Sequence, residues 1–181
     1  MNRVRYDSQK SRVYAAEADV VKDPDFAPAM REYADITELW ERAVQISKSS
    51  WWLKEVGPYS ALPRVNASLR VPGRATYQHG MLKFSKDALV EWKLLHELAH
   101  WIIYEAWGLE RETTPPHGRL FGKTYCALLQ RFCGVNVAKA MKRAFKAHKV
   151  SYSKPYVRKE PMSEEEMARR MERLAKAREA A

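Results

Sequence analysis

His96, Glu97 and His100 stand in the order H-E-x-x-H within an apolar stretch that includes Leu94, Leu95, Leu98, Ile102 and Ile103. Residues four apart on an α-helix lie about 40° apart around its axis and one turn apart along it. Both imidazoles can therefore reach one metal ion. Glu97, next to the first ligand, can take a proton from water that the metal has acidified; zinc brings the pKa of such water to near 7. The leucines and isoleucines supply a buried side for the helix, and a dry surround strengthens a metal site. The plainer alternative is a buried helix whose two histidines are satisfied by hydrogen bonds.

A hydrolytic zinc takes three protein ligands and keeps one position open. Glu105 follows His96 by nine residues, about 180° around a helix, and is expected to point away from the ion. Glu110 and Glu112 lie beyond the expected helix end and could return to the site. His117 is the stronger candidate, because it follows Pro115-Pro116 and opens the next helical stretch, so the chain can fold back over the metal. The expected set is zinc on His96, His100 and His117, with Glu97 as the catalytic base.

The surrounding pattern supplies the elements that would hold these residues. Asp7 or Ser8 can cap a first helix running to about Val20, which Asp23-Pro24-Asp25 breaks. Asp35 with Glu38 three residues on reads as a capping box before the apolar face of Ile36, Leu39, Trp40, Ala43, Val44 and Ile46. Trp51 and Trp52 extend that helix or begin a short one before Gly57-Pro58. From Val65 to Ser85 the period shortens. Ala67, Leu69 and Val71 alternate, Pro72-Gly73 and His79-Gly80 are turn candidates, and Thr76 to Gln78 and Met81 to Phe84 read as strands. The expectation is two or three short antiparallel strands. Ser85 and Asp87 can cap a helix from about Ala88 to Trp107, stopped by Gly108. Further helices are expected from about His117 to Phe132 and from about Val137 to Lys149. A linker from Ser151 to Pro161 follows, and Ser163 with Glu166 opens a terminal helix to about Glu179 with a thin stripe of Met167, Met171 and Leu174. The expected organisation is one catalytic domain over residues 1–150 and a basic linker and helix over 151–181.

Three segments carry a family resemblance. They are Gly73-Arg74-Ala75-Thr76-Tyr77 through Leu82-Lys83-Phe84-Ser85, then His96 to His100, then His117-Gly118-Arg119-Leu120-Phe121. Together they resemble the SprT-like zinc metallopeptidases, which pair a strand region with an H-E-x-x-H helix and a later H-G-x-x-aromatic motif. The resemblance covers roughly residues 66–133. The stretch from Asp7 to Glu17 looks closer still to a group of small metallohydrolase-like proteins of actinobacteria and their phages. The resemblance implies an α+β zincin-like fold, helices around a small antiparallel sheet, with zinc on His96, His100 and His117 and the catalytic role on Glu97. Many SprT-like proteins add a cysteine-rich zinc ribbon. With only Cys126 and Cys133, this chain lacks its ligands.

Tyr77, on an expected edge strand, and Arg119, two residues past the third ligand, are candidate substrate contacts, each with a simple core or surface role as its alternative. The chain has 181 residues and a net charge of +10. From Ala138 onward, 13 Lys or Arg face 6 Asp or Glu, which is +7 of that total. Lys139, Lys142, Arg143 and Lys146 share one helical face, as do Arg169, Arg170, Arg173 and Lys176. This points to non-specific DNA binding through the basic C-terminal region, or to a solvated basic face. No stretch is long and apolar enough for a membrane span, and the polar start, Met1 to Lys10, does not read as a secretory signal. The two cysteines read as reduced thiols. A cytoplasmic setting follows, that of the host if the chain is phage-encoded. The expected activity is peptide hydrolysis of a protein or peptide substrate. Its rivals are a hydrolase of non-peptide amides and a DNA- or virion-associated binding protein with a structural zinc.

Overall fold

The computed structural model describes residues 7–57, 63–110 and 114–152. The expected linker, terminal helix and second basic face lie outside those residues, as does Glu112. The described chain is α+β, with helices around one small sheet. In order it runs α1 (Lys10–Val20), a 3-10 turn (Pro24–Met30), α2 (Ile36–Ser47), α3 (Ser50–Glu55), β1 (Arg64–Asn66), β2 (Ala75–Gln78), β3 (Met81–Phe84), α4 (Glu91–Trp101), α5 (Arg119–Phe132) and α6 (Val135–Ala147).

The sheet is mixed, which corrects the antiparallel expectation. Its order is β1-β3-β2, with β2 and β3 antiparallel and β1 parallel to β3. The hairpin is set by its two-residue turn. His79 and Gly80 both have positive φ, 49° and 73°, the geometry whose twist suits a tight hairpin. The segment after β1 then crosses the end of β3, where Leu69 donates to the Phe84 carbonyl at 3.1 Å, and β1 falls on the far side of β3. The alternating Ala67, Leu69 and Val71 lie in this crossing, not in a strand; Val71 is 53% exposed.

Among the described residues β2 is an edge strand of this sheet. Gln78 pairs with Met81 and Thr76 with Lys83. Beyond them Ser85 donates to the Arg74 carbonyl at 2.8 Å. The even-numbered residues thus face β3, so Ala75 and Tyr77 turn their N–H and C=O groups outward.

α4 lies at the centre, packed against α5, β2 and β3, while α1 packs on α6. Its start differs from expectation. Ser85 and Asp87 do not cap it: Ser85 Oγ accepts from Arg74 N at 3.0 Å, and Asp87 accepts from Gly73 N at 2.8 Å. They tie the turn before β2 to the helix, which begins only at Glu91. Glu91 is buried and held by the Arg42 guanidinium at 2.7 Å and by the Tyr33 hydroxyl. The end differs too. After Trp101 the helix widens into a π turn, Ile102–Ala106, closed by Trp107 N donating to Ile102 O at 2.9 Å. Gly108, φ 68°, then stops it as expected. The box at Asp35 forms: its carboxylate accepts from Thr37 N and Glu38 N, and Glu38 reaches back to Ala34 N. α1 has no side-chain cap, because Asp7 is used elsewhere. Among the described residues no helix is long and apolar enough to cross a membrane.

Candidate metal centre

His96 and His100 project from one face of α4, and His117 comes from the turn before α5. All three are buried, and their ligand nitrogens lie within 4.8 Å of one another. His96 Nε2 is 3.2 Å from His100 Nε2 and 3.4 Å from His117 Nε2. A tetrahedral ion with bonds of about 2.0–2.1 Å sets its ligand nitrogens about 3.4 Å apart. The triad has the spacing to hold a metal ion.

The other ring nitrogens of His96 and His117 are fixed by carboxylates. His96 Nδ1 is 2.5 Å from Glu17 Oε1, and His117 Nδ1 is 2.6 Å from Asp7 Oδ2. A carboxylate only accepts, so each Nδ1 carries the proton and each Nε2 presents a lone pair. Two lone pairs 3.4 Å apart repel unless a metal ion or a proton lies between them. This is the carboxylate–histidine arrangement that orients metal ligands. Burial opposes the charged form of His96, but Glu17 outweighs it and raises the group. His117 is lowered by burial and by the neighbouring His96, towards the neutral imidazole that ligates metals.

The local sequence explains how the third histidine arrives. Gly118 lets the turn close, since a Cβ there would meet the Pro115 carbonyl oxygen at 3.0 Å. Phe121, one turn on, stacks on His100 at 4.5 Å between ring centres and packs on His96 and His117 at 4.8 and 5.0 Å. The H-G-x-x-F spacing thus delivers a ligand and the aromatic floor beneath all three. Gln9 adds a strut: its Nε2 donates to the His117 carbonyl at 3.0 Å, and its Oε1 accepts from Ser151 N at 2.5 Å.

Glu97 is buried beside the triad, where the outward Tyr77 N–H hydrogen-bonds its carboxylate. Burial pushes its pKa up to about 7; His96 opposes this, Glu17 adds to it, and the Tyr77 N–H and Arg74 oppose it. A carboxylate balanced near neutrality can both take and return a proton.

Of the other residues singled out from sequence, Tyr77 lies near the triad, 6.4 Å from His100 between rings, and its hydroxyl donates to Glu105. Tyr104, on the π turn, stacks on Tyr77 at 5.9 Å. Glu105 is thus engaged with Tyr77 and is not in the ligand cluster. Arg119 is exposed and donates to Ser151 Oγ at 3.0 Å, away from the cleft. Cys126 and Cys133 are free, with burial pushing both thiols up to about 12, and neither is in the histidine cluster. On the basic face of α6, Arg143 is already paired with Asp23 and Asp25 at 2.7 and 2.9 Å.

Sequence reasoning missed Asp7, Glu17 and Tyr14 as site residues. Glu17 left a signal. It falls among Val13, Ala16 and Val20 on the buried stripe of α1, and an acid at a core position needs a partner. Tyr14, 46% exposed, lies over the ligands, 6.0 Å from His96 and 5.2 Å from His117 between rings. Burial, with Glu97, Glu17 and Asp7, pushes its hydroxyl up to about 12, so it remains a donor.

The Glu17 contact makes a prediction. Glu17→Gln keeps the shape but removes the charge that orients His96. Metal affinity is expected to fall about 10- to 100-fold. A chelator-competition titration reads this directly, and an unchanged affinity would show the contact to be incidental.

No family model, curated protein or solved structure compared with this chain matches it.

Proposed function

We propose that this chain is a zinc-dependent hydrolase of the zincin type that cleaves peptide bonds, as its SprT-like motifs suggest. The observation that carries the reading is the convergence of three buried imidazoles, two of them oriented by carboxylates, with ligand nitrogens within 4.8 Å of one another, beside a buried Glu97. Three nitrogens without an oxygen ligand suit zinc, whereas calcium and magnesium call for oxygen donors. Three ligands also suit a catalytic ion better than a structural one, which closes its fourth position with protein.

When bound, zinc supplies charge that polarises the scissile carbonyl and acidifies water. Glu97 takes the proton from the attacking water and returns it to the leaving amine. The Tyr77 N–H holds the Glu97 carboxylate in place. The outer edge of β2, with the Ala75 N–H and C=O turned outward next to the Tyr77 N–H that meets Glu97, suits an extended peptide added along it. A non-peptide amide would need no such edge, which is why the peptide reading is preferred.

The test is hydrolysis of an unfolded protein by the zinc-loaded chain. The expected result is cleavage that stops on chelation and returns with zinc. A chain that holds zinc and leaves unfolded protein intact would remove the peptidase reading.

A further inference from the structure

We propose that the cleft beside His96 and Glu97 is a subsite for an acidic side chain of the substrate, an inference that rests on the peptidase reading. The cleft has a volume of about 400 Å³ and opens between the exposed face of α1 and the segment leading into β2. Its rim carries Lys10, Arg74 and Lys93, with Tyr14 on the wall next to the metal ligands.

Its lining carries three cations and two carboxylates. Lys10, Arg74, Lys93 and the Tyr14 hydroxyl are donors. The two carboxylates there are already engaged. Glu17 receives His96 Nδ1 at 2.5 Å and the Tyr125 hydroxyl, and Glu97 receives the Tyr77 N–H. Lys93 donates to the Gly73 carbonyl at 2.7 Å, with Asp87 nearby but bound to Gly73 N. Among the described residues Lys10 and Arg74 take part in no ion pair. Lys10 instead sits 5.9 Å over the Tyr14 ring. Lys10 and Arg74, exposed at the cleft mouth and held in no ion pair among the described residues, can attract and orient an anion.

Position and wall chemistry select a side chain. Arg74 directly precedes Ala75, the first outward-facing residue of the β2 edge. A strand rises about 3.3 Å per residue, so Arg74 lies about 10 Å along the edge from Tyr77, whose N–H meets Glu97. A peptide on that edge would present to the cations a side chain within about three residues of the bond cut. Trp92, Val71 and Pro72 give the cleft apolar walls that suit the methylene stem of Glu or Asp. A nucleic-acid backbone would need no such walls.

The experiment uses the full chain with Glu97→Gln, zinc-loaded, so that peptides bind without being cut. Three fluorescein-labelled alanine-rich peptides, with a central Glu-Glu, Gln-Gln or Lys-Lys pair, are titrated by anisotropy. The acidic peptide is expected to bind at least about tenfold more tightly than the amide peptide, the scale of one charge-assisted hydrogen bond. Lys10→Glu with Arg74→Glu should abolish that preference. Lys139→Glu with Lys146→Glu on α6, the same change in net charge, should preserve it. Equal binding of the acidic and amide peptides would overturn the proposal. So would an equal loss in the α6 control, or displacement of the peptide by a DNA oligonucleotide that needs Lys10 and Arg74. Cleavage sites mapped with the unmutated enzyme separate the two readings. Cutting with no acidic enrichment near the bond removes the subsite and leaves the peptidase. No cutting, with acidic binding through Lys10 and Arg74 intact, removes the peptidase and leaves the anion site.

Discussion

Replacing Glu97 by glutamine is expected to lower hydrolysis by at least about 10²-fold while zinc stays bound, the scale on which a general base contributes. The substitution is nearly isosteric, and the amide oxygen can still accept the Tyr77 N–H that meets the carboxylate. What disappears is proton acceptance. The three imidazoles are untouched, with His96 still held by Glu17 and His117 by Asp7. Metal content and melting temperature should therefore match the unmutated chain. Loss of zinc in Glu97→Gln would mean that the carboxylate serves the ion directly. An unchanged rate would end its role as base.

The second large effect is on metal binding. His117→Ala removes one of three ligands and leaves Asp7 facing a cavity. Affinity is expected to fall by more than the about 100-fold upper range seen for losing an outer-shell partner. Removal of Glu110, an alternative third ligand read from the sequence, should change nothing, since it lies outside the cluster. A competition titration of the two variants decides between them. Retention of full affinity in His117→Ala, with loss in Glu110→Ala, would reassign the third ligand. His117→Ala also tests the floor of the site. Phe121 packs on all three imidazoles, so it should lose part of its contact surface and cost some stability as well.

What was legible in the sequence and what was not divide along one physical line. His96 and His100 were legible because a four-residue spacing is a local property of a helix. His117 was legible because two prolines and a glycine announce a tight turn. The hairpin at His79-Gly80 was legible for the same reason. The parallel pairing of β1 with β3 was not, since nothing in Arg64–Asn66 says on which side of the hairpin the strand will lie. The π turn after Trp101 was not, because five residues of a wider helix leave the same apolar pattern as an ordinary one. The carboxylates were the largest omission. Glu17 meets His96 across 79 residues and Asp7 meets His117 across 110, and no periodicity carries a contact of that separation. Asp7 shows the cost of local reasoning most plainly. Its place before a helix predicts a cap, whereas its side chain holds the His117 imidazole, 110 residues away in sequence.

The same long-range contacts explain why the N-terminal segment belongs to the site. α1 supplies Glu17 and Tyr14, and Gln9 bridges from its first turn to the His117 carbonyl and to Ser151. α1 forms one wall of the cleft and supplies the carboxylate that holds His96.

The most direct measurement is the rate at which the zinc-loaded chain cuts an unfolded protein, followed through chelation and the return of zinc. A three-histidine ion with Glu97 as base predicts hydrolysis that vanishes with the metal and recovers with it. Hydrolysis that persists in full after the ion is removed, or a chain that holds one zinc and cuts nothing, would contradict it.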